Sequence, residues 1–191
     1  YLGLGSLVTR LGFRRKQAEG LAESRGGRRG PENVWGSAAT GAALALLSLL
    51  PSAPVTLLRL GFAASFSAKL ADTFGSEIGK RWGRNTVLIT TLKPVPPGTE
   101  GAISLEGTAA SLLGSGLMAL VMLQLGLLQG AGAWGLVTLV GLLATLLESL
   151  IGKLANRLLQ LPGVVGVRVK IAKLKIFDDC EVAIRVETGQ W

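Results

Sequence analysis

Two carboxylates stand at the end of an apolar segment and run directly into a basic cluster. Asp72 and Glu77 are followed within a few residues by Lys80, Arg81 and Arg84. Charges at the end of an apolar segment are costly in a membrane unless they are paired or used. Carboxylate oxygens are ligands for Mg²⁺, while Lys and Arg neutralise phosphate. The combination predicts a magnesium–phosphate site, the kind of site that phosphoryl transfer requires.

The spacing of these residues indicates which of them could act together. On a regular helix, Asp72 and Glu77 point about 140° apart, so either Gly75 bends the helix or each carboxylate has a separate task. Asp72 and Ser76 are four residues apart and share a face, which would let them bind one ion together. Alternatively, both carboxylates are interfacial groups paired with the basic residues that follow.

Two further segments and one further carboxylate could contribute to such a site. The loop 26–30 reads GGRRG, and the segment 93–101 reads KPVPPGTEG. Glycine loops can present backbone N–H groups to phosphate oxygens. Each segment also has a simpler interpretation, as a solvated loop and as a rigid turn. Glu148 could face the same site or could pair with Lys153.

The composition favours a membrane protein and excludes several kinds of chemistry. The 191 residues are 49% hydrophobic and only 17% charged, with net charge +8 and a mean hydropathy of +0.47. The chain has no His, which excludes His-based catalysis and His metal sites, and the single Cys180 excludes an internal disulfide. In a membrane protein the positive charge marks loops beside anionic lipid, so we expect no nucleic-acid partner.

Hydrophobic patterning predicts an all-α membrane protein with about four to five transmembrane helices. The segment 1–12 is typical of the end of a membrane helix that Arg14, Arg15 and Lys16 stop, so we expect further helices before it. Pro51 and Pro54 divide the next apolar region into two helices. Two nearly uncharged spans follow a polar loop rich in Pro and Gly, residues 77–107, which is called the Pro-Gly loop. The predicted helices after the first are 35–50, 54–74, 108–128 and 133–147.

The end of the chain has a different pattern. Residues 161–191 contain two stretches of alternating apolar residues, and Asp178-Asp179 would supply a turn between them. We predict a β-hairpin outside the bilayer. The sequence thus divides into a polytopic membrane domain, 1–152, and an extramembrane helix end with a hairpin tail, 153–191.

This topology predicts that the polar motifs share one membrane face. Basic loops lie on the cytoplasmic side, and the loop 14–29 is strongly basic. Two helices return the chain to that side for the loop 77–107, and the next pair returns Glu148 to it. The apolar spans would lie in the lipid bilayer, and the carboxylates would face a polar site on the cytoplasmic side.

Four segments together resemble one family of integral membrane proteins, the domain of unknown function 92. They are KQAEGLAESRGGRRGPENVWG, LADTFGSEIG, LITTLKPVPPGTEGAISLEGTAASLLG and ESLIG, and they occur in the family's order. The family includes phytyl-phosphate kinases of plants and cyanobacteria. The resemblance covers about 1–152. It implies a polytopic enzyme of a bacterial inner or thylakoid-type membrane, which phosphorylates a prenyl monophosphate to the diphosphate with CTP and Mg²⁺ for tocopherol and related lipids.

The resemblance also implies roles for individual residues. Asp72 and Glu77 would bind Mg²⁺ or orient the attacking oxygen, Arg28 and Lys93 would clamp phosphates, and the apolar groove between spans would hold the prenyl tail. The implied catalytic residues are Asp72, Glu77 and Lys93, and the implied metal ligands are Asp72, Ser76, Glu77 and Glu148. The implied nucleotide- and phosphate-binding residues are Gly26, Gly27, Arg28, Pro97, Gly98, Thr99, Glu100, Gly101 and Ser104.

The sequence departs from the family's pattern at three places. Ser37 follows Gly36 where the family usually has an Asn-Gly, and Glu148 stands where it typically shows Asp. After Gly152 the family's last helices are replaced by a tail that weakly resembles the C-terminal strands of a dihydroneopterin aldolase, as a fusion or frameshift would produce.

Two other classes of protein stay open at this point. In a transporter the charged residues would line a pathway, and the purified protein would show flux without consuming nucleotide. A non-catalytic membrane scaffold would bind neither CTP nor prenyl phosphates. The oligomeric state is not predicted.

Overall fold

The computed structural model describes residues 1–22 and 31–159, which form six helices and one small antiparallel sheet. The basic glycine loop at 26–30 and the predicted β-hairpin tail lie outside the described residues. The elements are α1 (Leu2–Arg10), α2 (Phe13–Ala18), α3 (Pro31–Leu47), α4 (Val55–Trp82), β1 (Val87–Leu88), β2 (Ala102–Ile103), α5 (Leu105–Gln124) and α6 (Gly130–Leu159).

The first helical segment ends at a glycine and not at the basic residues. Gly12 adopts a left-handed conformation with φ 62°, which terminates α1 and lets the chain turn. The basic residues Arg14, Arg15 and Lys16 then lie inside the short helix α2. α1 thus ends within the predicted limit at 12, before the basic residues, and its assignment as the end of a membrane helix stays a prediction.

The proline pair separates α3 from α4, as predicted. α3 ends at Leu47, and α4 begins at Val55, directly after Pro54. α4 is 28 residues long and continues through Glu77 to Trp82, eight residues beyond the predicted end at Phe74. The charges at its end are thus part of the helix, where Glu77 pairs with Lys16 and the side chains of Lys80 and Arg81 are half-buried.

The two nearly uncharged spans form the helices α5 and α6, but their first and last residues differ from those predicted. Ser104 caps α5 by accepting a hydrogen bond from the Gly107 N–H at 3.1 Å. The turn lies at 125–129, not at the predicted Gly130–Gly132, and α6 extends past the predicted end at 147 to Leu159.

α4 is the central helix, and small residues let its neighbours approach closely. Every fourth residue of α4 from position 63 is small (Ala63, Ser67, Ala71, Gly75 and Gly79), and Gly83 continues this spacing at the C-cap. A Cβ on Gly114 of α5 would lie 2.8 Å from the backbone oxygen of Leu70 on α4. Close backbone approach through small residues is the usual packing of membrane helices. The core beside this contact includes Leu70, Met118 and Val137.

The outer surfaces of α5 and α6 are apolar. Leu113, Leu117, Leu139 and Leu143 are all exposed. Two described helices, Leu105–Gln124 and Gly130–Leu154, are long and apolar enough to cross a membrane. The described residues thus give a mostly helical protein with two membrane-capable helices, and the count of four to five spans stays a prediction.

A small sheet inside the Pro-Gly loop was not predicted. β1 and β2 pair antiparallel, with Val87 opposite Ile103 and Leu88 opposite Ala102. β2 leads directly to the Ser104 cap of α5. The sheet therefore fixes both ends of the loop against the end of α4.

Candidate functional site

A polar cavity lies where α4, α5 and α6 meet beside β2. Its volume is about 80 Å³, enough for several waters or the reacting end of a substrate, but not for a whole nucleotide. Its wall has one carboxylate, Asp72, and two residues of β2, Ala102 and Ile103. It also has five hydroxyl-bearing side chains: Ser76, Thr108, Ser111, Thr145 and Ser149.

Asp72 is partly buried and is not tightly bound within the protein. Its Oδ2 accepts from Lys69 Nζ at 3.4 Å, which is a long contact for an ion pair. Ser76 lies one turn further along α4 on the same cavity wall and donates to the Thr73 backbone oxygen at 3.2 Å. The Asp72 carboxylate is therefore free to bind a further cation or polar group.

Glu77 lies on a different face of α4 from Asp72, and its side chain is buried. Lys16 of α2 donates to Glu77 Oε2 and to the Thr9 backbone oxygen, the latter at 2.8 Å. Both charged side chains are almost fully inaccessible to solvent. Gly12 leaves the space into which the side chain of Arg81 packs. This buried pair joins the start of the chain to α4, so Asp72 and Glu77 have different surroundings and different partners.

The Pro-Gly loop is held against two other parts of the protein at the same end of α4. Gly98 and Gly101 have φ values of +85° and +74°, which favour glycine. A Cβ on Gly98 would meet the side chain of Leu21, and one on Gly101 would lie 2.6 Å from Lys153 Cβ. Leu21, which follows α2, is thus brought together with the Pro-Gly loop and with Lys153 of α6.

The remaining predicted site residues have varied positions. Lys93 is exposed at the tip of the loop, and Glu148 is exposed on α6, near enough to Asp72 and Lys69 for their charges to interact. Ser104 is buried, and its hydroxyl is engaged in capping α5. Gly26, Gly27 and Arg28 lie outside the described residues.

The described residues include no preformed metal site. Among residues 1–22 and 31–159, no group of three or more Asp, Glu or Cys side chains is arranged to hold a metal ion. Mg²⁺ is commonly bound by one or two carboxylates together with substrate phosphates and water. The carboxylate and hydroxyl oxygens of the Asp72 cavity are the hard donors that Mg²⁺ prefers.

The sequence matches the family described as integral membrane protein DUF92 over residues 1–169. The chain belongs to the DUF92 family. The match extends past Gly152, where the sequence resemblance was expected to end.

This DUF92 protein is similar to several curated proteins. It is 52% identical over 153 residues to an uncharacterized membrane protein of Synechocystis, covering 80% of this chain and 59% of the relative. It is 46% identical over 155 residues to the chloroplastic protein VTE6 of Arabidopsis thaliana, covering 80% and 46%. An uncharacterized membrane protein of Methanocaldococcus jannaschii is 36% identical over 117 residues, covering 61% and 47%. The chain thus spans about half the length of these relatives. No solved structure matches it.

Some residues of this DUF92 site were not predicted from the sequence. Thr145 and Ser149 of α6 line the cavity, and the Thr145 hydroxyl donates to the Ala68 backbone oxygen of α4 at 3.3 Å. In the sequence, these two residues could have been found by their spacing of four residues, with Gly141 and Gly152 on either side. It marks one small, polar face on an otherwise apolar helix.

Proposed function

We propose that this DUF92 chain carries the reacting site of a membrane kinase that transfers a phosphoryl group from CTP to an isoprenoid monophosphate such as phytyl phosphate. The diphosphate product would serve tocopherol and prenyl-lipid synthesis in a thylakoid-type or bacterial inner membrane. The support is family membership together with the resemblance to phytyl-phosphate kinases. The observation that carries the proposal is that Asp72 and the end of the Pro-Gly loop wall one polar cavity.

The reaction suits a site without His. An oxygen of the prenyl phosphate attacks the γ-phosphorus of CTP, the new P–O bond forms, and the bond to the β,γ-bridging oxygen breaks to release CDP. The second pKa of a phosphate monoester is about 6, so at neutral pH the attacking oxygen is already ionised and needs no general base. The protein has to position the two phosphates and offset their charge.

The surroundings of the cavity provide for both tasks. Lys80, Arg84, Lys93 and Lys153 lie at this end of the described structure, and positive charge there attracts polyphosphate. In the proposal Lys93 and Arg28 clamp phosphates, and the backbone of 97–101 holds one phosphate group. The prenyl tail would lie along the apolar helix surfaces.

Mg²⁺ is the cofactor that this donor set would suit. Asp72 and Ser76 would hold it from the protein side, with Glu148 as the nearest second carboxylate. When bound, the ion would offset charge on the transferring phosphoryl group. Glu77 enters the proposal through its pairing with Lys16, and its predicted role as a metal ligand stays a prediction.

The test is turnover by the purified chain in proteoliposomes. Phytyl phosphate, CTP and Mg²⁺ should give phytyl diphosphate and CDP in equal amounts, and chelation with EDTA should stop the reaction until Mg²⁺ is restored. Solute flux without CDP release would instead indicate a transporter. Failure to bind either CTP or prenyl phosphate would indicate a scaffold. Either result would contradict the proposal.

A further inference from the structure

A second cavity lies directly after α4, on the other strand of the small sheet. Its volume is about 180 Å³. One wall is the segment Arg84, Asn85 and Thr86, and the facing wall is provided by Pro94, Val95 and Pro97. The Val95 N–H donates to the Thr86 backbone oxygen at 2.9 Å, which holds the two walls together.

Thr86 has a buried hydroxyl that the protein does not satisfy. The residue is only 9% exposed, and its Oγ1 has no hydrogen-bond partner among the described residues. Leaving a buried hydroxyl without a partner costs free energy, and such groups in native proteins call for an explanation. Thr86 lines the cavity but its hydroxyl is not reached from it in this rotamer, so a ligand oxygen there would become its partner after rotation about χ1.

The charge beside this hydroxyl favours an anion. The Arg84 side chain is exposed, and within residues 1–22 and 31–159 it makes no hydrogen bond or ion pair. The Arg84 backbone N–H donates to Glu106 Oε1 at 3.4 Å, so this carboxylate contacts the backbone and not the guanidinium. A guanidinium, an amide from Asn85 and a free hydroxyl are the donors that bind phosphate oxygens.

The opposite wall is rigid and preformed. Pro94 and Pro97 have fixed φ angles, and β1 pairs with Pro94 as well as with β2. The strand pair also connects the two cavities, because Val87 lines this one and its partner Ile103 lines the Asp72 cavity. A polyphosphate held at Thr86 would therefore lie on the strand pair that also borders the Asp72 cavity.

We propose that this Thr86 cavity is an oxyanion site that holds a phosphate group by Arg84, Asn85 and Thr86. The inference rests on the proposed function where it assigns the donor nucleotide's polyphosphate as the source of that group. A phospholipid headgroup offers the same chemistry, so the experiment has to distinguish the two sources.

The test is binding of inorganic pyrophosphate to the detergent-purified chain by calorimetry. We expect Arg84→Gln to weaken binding about tenfold and Thr86→Val about fivefold, since each removes one donor. Arg59→Gln, near the other end of α4, and Thr91→Val, on the exposed surface of the loop, are matched controls that should stay within about twofold. The melting temperature of Thr86→Val should not fall, because its hydroxyl has no partner to lose.

Unchanged pyrophosphate affinity in both variants would overturn the site, as would a Thr86→Val chain that melts several degrees lower. Competition by CTP supports the nucleotide assignment. Competition by phosphatidylglycerol but not by CTP keeps the oxyanion site and overturns that assignment. If binding depends on Arg84 and Thr86 but no phosphoryl transfer occurs, the proposed function fails and the site stands. If transfer occurs and neither variant affects it or binding, the site fails and the function stands.

Discussion

Lys16 donates to Glu77 across 61 residues of sequence, and both side chains are buried. The pair ties α2 to α4 one and a half turns beyond Asp72, which lines the polar cavity instead. Two carboxylates that the sequence grouped together are thus separated by the helix into one that joins segments and one that faces the candidate site.

This separation predicts that Glu77 acts through stability. Glu77→Gln or Lys16→Met leaves one buried group without its partner and should cost about 3–5 kcal/mol of unfolding free energy. The double variant Lys16→Met with Glu77→Met should recover much of that loss. Thermal and denaturant unfolding in detergent micelles would measure it. Arg15→Ala, which removes an exposed ion pair with Glu19, is the control and should cost under about 1 kcal/mol.

The opposite pattern would restore the original interpretation of Glu77. If Glu77→Gln is as stable as the parent chain but loses phosphoryl transfer, Glu77 belongs to the reacting site.

The close contact between α4 and α5 predicts opposite effects for one substitution at two glycines. At Gly114 an added Cβ would meet Leu70 O at 2.8 Å and Phe74 at 2.9 Å, so Gly114→Ala should destabilise the chain by about 1–3 kcal/mol. At Gly135, in α6, an added Cβ would have no atom of the described residues within 4 Å, so Gly135→Ala should be neutral or stabilising, as expected of alanine in a helix. Melting temperatures compare the two, and equal shifts would contradict this packing.

The anchoring of the Pro-Gly loop can be tested in the same way. Gly101 and Gly20 both have positive φ, +74° and +70°. Among the described residues, an added Cβ would meet Lys153 at Gly101 and nothing within 4 Å at Gly20. Gly101→Ala should displace the loop and lower kcat/KM for CTP at least about tenfold. Gly20→Ala carries the same backbone strain and should leave kcat/KM nearly unchanged. Similar losses in both would show that strain alone, not loop position, is responsible.

Local sequence patterns predicted the presence of the helices better than their first and last residues. The proline pair located the break between α3 and α4, and the apolar spans predicted the presence of α5 and α6, because these features depend on backbone chemistry and hydrophobicity. The end of α4 was missed because charges were taken to mark a loop, whereas Glu77 is neutralised by a partner far away in sequence.

The candidate site shows the same division. The spacing of Asp72 and Ser76 indicated a shared face, which follows from helix geometry alone, and both line the cavity. The buried Lys16 and the Thr86 hydroxyl, which has no partner among the described residues, could not be found in this way. Their importance arises from contacts between segments that no local spacing records.

The central claim is that Asp72 serves the transfer of a phosphoryl group at the cavity beside the Pro-Gly loop. Its most direct test is the rate of CDP and phytyl diphosphate formation by Asp72→Asn, measured beside Glu19→Gln, an exposed carboxylate in a surface ion pair. Asp72→Asn should lose about 100-fold or more in turnover while keeping its melting temperature, and Glu19→Gln should keep its rate. An Asp72→Asn chain that turns over at the parent's rate would show that Asp72 does not serve the transfer.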